Sequence, residues 1–228
     1  MKKIFYIIGI LITAACGTVQ AQYEGRKFIS GQAAIDFDNT KGNSDRDVNN
    51  YGYNFDVSLG KFRSDTRATG FRLSTSLRGG KNYYQFDNTG AFKETSGVNQ
   101  LGFGLGHFWQ FYKHFNSNVG IFGGPDVNLG YIGSKVINTE LTGFPREIKT
   151  SQIQLSLGLN AGVYYKLSEK WWVTASLAFA NPVLVAYQTS KSKMLVDNIE
   201  TKSNGIQYSL APVFNFPAVG LGVRYMCK

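Results

Sequence analysis

Long apolar runs are absent from this sequence beyond its first fifteen residues. Nothing later approaches the roughly 18 uninterrupted apolar residues of a membrane-spanning helix. Cysteine is almost missing, with Cys16 and Cys227 the only two, and histidine is limited to His107 and His114. Such a set contains no His/Cys cluster of the kind that holds zinc. Charged residues make up only 17% of the chain, below the usual quarter. The Lys and Arg behind the net charge of +9 are scattered, with no basic run. A nucleic-acid partner would need a basic patch or stripe, so none is expected.

The one apolar stretch lies at the start. Lys2 and Lys3 precede a twelve-residue, largely apolar stretch from Ile4 to Ala15, and Val19-Gln20-Ala21 offers small or aliphatic residues at −3 and −1. Residues 1–21 therefore read as a signal peptide, with a mature chain of residues 22–228 and a net charge of +7. A competing reading takes "TAAC" around Cys16 as a lipoprotein box. After cleavage at Ala21, Cys227 stands alone, which excludes an intrachain disulfide in spite of export.

Glycine (26), phenylalanine (17) and tyrosine (13) are abundant, and they fall into alternating patterns. In "YGYNFDVSLG", Tyr51, Tyr53, Phe55, Val57 and Leu59 share one parity, while Gly52, Asn54, Asp56, Ser58 and Gly60 share the other. A period of two means strands. The alternation recurs eight times, over about 27–37, 51–60, 71–78, 99–111, 118–131, 153–167, 171–187 and 205–225. The third, fifth and seventh strands follow short turns, at 63–67, 112–117 and 168–170; the other connections, 38–50, 81–96, 132–151 and 188–204, are longer and polar. No second domain is visible. An even number of strands with turns of alternating length predicts an all-β, eight-stranded antiparallel transmembrane up-and-down β-barrel.

Alternation alone does not say which face is inside, because a lipocalin-like carrier turns its apolar face inward and a membrane barrel turns it outward. The polar parity holds small residues (Gly102, Gly104, Gly106, Gly158, Gly162) and charges of both signs (Asp36, Asp56, Arg72, Arg78, Asp126, Lys166, Arg224). These suit a crowded, salt-bridged lumen better than a water-exposed surface. Pairing about the 63–67 turn places Asp56 diagonally across from Arg72. Aromatics gather near the strand ends: Trp109, Phe111, Tyr112, Phe115, Tyr165, Trp171 and Trp172 beside the short turns, and Phe37, Tyr51, Tyr53, Tyr131 and Tyr187 beside the long loops. Two interfacial belts are the expectation, against the plainer view that aromatics are good strand formers. Pro125, Pro182, Pro212 and Pro217 fall within strands, where each removes a ladder donor. They predict bulges, or strand sections that rise above the membrane.

"FISGQAAIDFDN" near the start of the mature chain, "YNFDVSLGKF" and the closing "VGLGVRY" resemble the small outer-membrane β-barrel family of Gram-negative bacteria, the eight-stranded OmpA-like porin type. The resemblance implies an outer-membrane location and assembly by the barrel-assembly machinery, which reads a terminal aromatic. Tyr225, followed by Met226-Cys227-Lys228, would serve here. It implies no catalytic residues.

The residues agree with that silence. His107 lies on the outward parity with no serine beside it on that face, so it reads as an interface histidine, and His114 reads as a solvated turn residue. Asp36, Asp38, Asp45 and Asp47 lack calcium-loop spacing, with Lys41 where glycine is needed. "SLRGGKN" has no phosphate-loop spacing. No catalytic, cofactor-binding or metal residue is expected, and no cofactor. The leading expectation is a barrel with a side-chain-filled lumen and a structural or interaction role through its long extracellular loops. Its partners would be outer-membrane lipid and an unidentified loop partner. The alternatives are a narrow porin-like channel, an outer-membrane lipid-modifying enzyme and a soluble carrier.

Overall fold

In the computed structural model, the described residues are 23–41, 47–85, 92–139, 145–178, 182–195, 197–210 and 219–227. The signal-peptide reading, together with Asp45, Pro212 and Pro217, lies outside them. Ten strands follow one another: β1 (Lys27–Lys41), β2 (Asp47–Ser64), β3 (Arg67–Gln85), β4 (Phe92–His114), β5 (Val119–Thr139), β6 (Pro145–Lys166), β7 (Trp171–Ala178), β8 (Val183–Met194), β9 (Glu200–Leu210) and β10 (Val219–Met226). Every pairing is antiparallel. Strands β1 to β7 and β10 close a ring of eight, with β10 back beside β1. Closure pairs the backbone around the ring, the condition for strands to sit in hydrocarbon.

The expected seventh and eighth strands are each divided. Pro182 lies between β7 and β8. On β6, Asn160 faces Ala178 of β7 and Leu157 faces Val183 of β8. Pairing on β6 thus changes from β7 to β8, and β8 begins directly beyond the proline. Pro125 behaves differently. It keeps its place opposite Leu159, while the β4–β5 pairing lapses between Phe108↔Asp126 and Phe111↔Gly123 and resumes in unchanged register. A missing donor here costs a rung and makes no bulge.

The turns explain themselves chemically. At 114–119 the Asn116 side chain accepts from the amides of Asn118 and Val119, both at 2.8 Å, an Asx turn. Ser168 plays the same part at 167–171, accepting from Lys170 and Trp171. The opposite end departs from expectation. All four expected long loops are largely strand: β1 and β2 extend to Lys41 and from Asp47, β3 and β4 to Gln85 and from Phe92, β5 and β6 to Thr139 and from Pro145, and β8 and β9 form a hairpin. Asn198 turns that hairpin with a φ of 56°, a left-handed conformation asparagine tolerates.

The apolar parity faces outward. Leu155, Leu157 and Leu159 are 43–49% exposed, whereas Ser156 between them is 2% exposed. Leu157→Arg should therefore destabilise the barrel by about 2–4 kcal/mol if it sits near the bilayer midplane. Urea unfolding in lipid vesicles measures this; an unchanged midpoint would contradict the lipid-facing assignment.

Candidate functional site: the lumen and its aromatic plug

The buried core lies inside the barrel, at its turn end. Strand pairing builds it row by row. Phe28 of β1 faces Gly60 of β2, Gly60 faces Gly70 of β3, and Gly70 faces Phe108 of β4. The two rings fold over the two glycines, with their centroids 6.3 Å apart. Phe62, Tyr112, Phe122, Tyr164 and Trp172 complete the layer, all buried. Tyr23, ahead of β1, caps it: its ring stands edge-on to Trp172 at 5.4 Å, and its amide donates to Asp65 at 2.8 Å.

Tyr112 and Trp172 thus leave the belt expected for them and point inward. Trp109, Phe111, Tyr165 and Trp171 stay outside, half-exposed. Parity is the signal that separates them, since Trp171 and Trp172, or Tyr164 and Tyr165, are neighbours and take opposite faces. Read by parity, Phe28, Phe62, Phe108, Phe122, Tyr164 and Trp172 are large aromatics on the polar side, all near the turn end.

Two cations are set into the plug. Lys166 Nζ donates to Tyr23 Oη at 2.6 Å and lies 4.6 Å from the Tyr23 ring centroid and 5.2 Å from that of Trp172. The Arg224 guanidinium lies 4.1 Å from the Phe28 centroid. It donates to Ser30 Oγ at 2.8 Å, to Gln110 Oε1 at 3.3 Å and to Tyr112 Oη. Ring faces and neutral oxygens hold both charges, the arrangement in which cation–π attraction is strongest because water is excluded.

Outward of the plug the lumen is polar and roomier. A cavity of about 180 Å³ is lined by Phe28, Phe108, Arg224, Asp56, Arg72 and Asn160. It adjoins one of about 410 Å³ that also touches Asp126 and Asn128. Buried Asp126 accepts from Asn160 Nδ2 at 2.8 Å and from Asn128 Nδ2. The Asp56–Arg72 diagonal is as expected, since Asp56 faces Ser74 and Arg72 faces Ser58. The salt-bridged lumen is not: among the described residues, the ion pairs within 4 Å are Lys81–Glu94, Lys135–Glu147 and Lys149–Glu147, all on the outer extensions. Amide-to-carboxylate hydrogen bonds take the place of lumen ion pairs.

The histidines are placed as follows. His107 is on the outer face as expected, 4.8 Å from the Phe71 ring and 4.5 Å from Trp109. Thr69 Oγ1 lies 2.9 Å from its Nε2 and donates to the Phe108 carbonyl at 3.1 Å. The Thr69 hydroxyl thus lies within hydrogen-bond reach of both the His107 ring and the Phe108 carbonyl, a contact on the outer face. His114 is part-buried and hydrogen-bonded rather than a free turn residue. It lies on the inward parity of β4, where Nε2 meets the Asp65 carbonyl at 2.8 Å and Nδ1 meets Tyr164 Oη. Among the described residues no three His, Cys, Asp or Glu side chains come together as a metal site. Cys227 is a free thiol.

A closed ring of strands, greasy outside and polar within, is matched over residues 8–182, most of the chain, by the outer membrane protein beta-barrel domain family. The chain belongs to this family. It is an outer-membrane β-barrel. No curated protein sequence matches it. Three solved structures are similar. Neisserial surface protein A has 14% identity over 90% of this chain and 98% of its own, with a TM-score of 0.42. Ail, the attachment invasion locus protein of Yersinia pestis, crystallised with a heparin analogue, has 14% identity over 90% and 99%, with a TM-score of 0.35. A major outer membrane protein of Thermus thermophilus has 13% identity over 89% and 99%, with a TM-score of 0.36.

Proposed function

We propose that this outer-membrane β-barrel is closed to solutes and acts through its surface, as a structural element or by engaging a partner with the hairpins beyond the membrane. The aromatic plug carries the reading. Phe62, Trp172 and Tyr164 are almost wholly buried and the rings of Tyr164 and Trp172 stack at 4.8 Å. The embedded Lys166 and Arg224 add electrostatic opposition to cation passage. The polar cavities of about 180 and 410 Å³ favour a second reading, a narrow channel. Planar-bilayer recording separates the two. The purified barrel should give no unit currents, and reproducible openings would overturn closure. Catalysis is no part of the reading.

Residues 1–21 are proposed as an export signal removed after Ala21, and Tyr225 as the aromatic read during assembly. Burial of Tyr23 within the plug supports a mature chain that starts just ahead of it. Intact-mass measurement of membrane-extracted protein should give a chain beginning at Gln22; a lipidated Cys16 would contradict it.

A further inference from the structure

The register of the outer extensions sets four lysines side by side. Lys135 of β5 faces Lys149 of β6, Lys149 faces Lys191 of β8, and Lys191 faces Lys202 of β9. All four are exposed and on the lipid-facing parity, the one carrying Ile153, Leu155 and Leu157 on β6. Like charges directly opposite one another on a sheet destabilise it, and this sheet repeats the arrangement across three consecutive strand pairs. Glu147 relieves one side only. It lies 2.9 Å from both Lys135 and Lys149, and these two ammonium groups hold its carboxyl below the ordinary carboxylate range. Lys191 and Lys202 make no ion pair among the described residues, although Glu200 lies two residues from Lys202, opposite Lys193.

The height of the row says what it meets. Four residues inward along each strand lie Tyr131, Ile153, Tyr187 and Ile206, themselves one cross-strand row. Tyr131 and Tyr187 belong to the outer aromatic belt, which marks the headgroup level. Four residues correspond to ~13 Å along a strand, or ~10 Å along the barrel axis at a tilt of ~40°. The row is therefore a lateral band just beyond the hydrocarbon, about 14 Å across at ordinary strand spacing. We propose that this lysine ladder binds the phosphate groups of an outer-leaflet phosphorylated glycolipid, with Lys191 and Lys202 as its main cations and Glu147 limiting the contribution of Lys135 and Lys149. Lateral placement favours a lipid in the same membrane over a soluble polyanion, which would meet the hairpin tips first. The inference does not depend on whether the lumen conducts.

The test uses the mature barrel in nanodiscs of zwitterionic phospholipid, titrated with bis-phosphorylated lipid A and with the same lipid after phosphate removal. Lys191→Gln/Lys202→Gln should weaken binding of the phosphorylated lipid by about thirtyfold, taking about fivefold for each lysine. Lys191→Arg/Lys202→Arg should keep it, and Glu147→Gln should strengthen it several-fold. A retained heat-shifted gel band certifies that each variant is folded. Equal binding of the two lipids, or wild-type affinity in the glutamine variant, would overturn the proposal. So would a glutamine variant that loses a soluble sulfated polysaccharide but keeps lipid A.

Discussion

Replacing Gly70 with valine stops the barrel from assembling. Gly70 faces Gly60 across the β2–β3 ladder and carries the Phe108 ring on its inner side. A Cβ there would meet the Leu59 carbonyl oxygen, stand 2.6 Å from the Gly60 Cα and 2.7 Å from Phe108 Cζ. Two of these three are backbone atoms, fixed by the closed ladder. Overpacking an ordinary core costs about 1–3 kcal/mol because side chains can rearrange. Here the strand itself would have to move, so the loss should exceed that range and approach the roughly 5–15 kcal/mol stability of a typical fold. The expected result is disappearance of the heat-shifted band and recovery of the variant as unfolded aggregate. Gly52→Ala is the control. Its Cβ would have Arg78 Cγ as nearest neighbour, at 3.4 Å, an ordinary contact, and its effect should stay within about 0.5 kcal/mol. A folded Gly70→Val barrel of unaltered stability would mean that the ring-over-glycine rows are not what fixes the turn end.

Truncating the plug should have the opposite kind of effect, a gain of conductance. Phe62 and Trp172 are both fully buried, with ring centroids 6.1 Å apart. Each alanine substitution should cost about 3–5 kcal/mol from lost burial and an unfilled cavity. As neighbours the two will not add simply. The double variant Phe62→Ala/Trp172→Ala joins the space around Tyr23 to the polar cavities beyond Phe28 and Arg224. In planar bilayers it should show unit currents that the parent barrel lacks. Heat-modifiability must be checked first, and growth at low temperature offsets part of the stability loss. A folded but silent double variant would show that these two rings are not the barrier.

How much of this was legible in the sequence differs from one end of the barrel to the other. The membrane-spanning halves of the strands were readable because lipid on one side and lumen on the other impose a strict alternation, cleanest from Ile153 to Leu167. The Asp56–Arg72 diagonal followed from the turn alone. Beyond the membrane both faces meet water, so residues such as Lys135, Lys149 and Lys191 carry no hydrophobic period. Their strands looked like loops, although cross-strand pairing continues there. The plug was hidden for another reason. Aromatic residues near strand ends suit both an interfacial belt and a stopper, and only parity tells Trp172 from Trp171. His114 was misplaced in the same way, a turn-end residue whose parity points it beneath Tyr164. The Thr69–His107 contact needed the β3–β4 register, which strands of that length do not reveal by pattern.

All of this rests on the direction in which the two parities point. The direct measurement places single cysteines at Leu155 and at the neighbouring Gln154, in a Cys227→Ser background, labels each with bimane and reconstitutes the barrel with brominated phospholipid. The account predicts strong quenching of the label at residue 155 by the lipid-borne bromine and little at residue 154, which lines the inner cavity. Quenching at residue 154 with protection at residue 155 would contradict it.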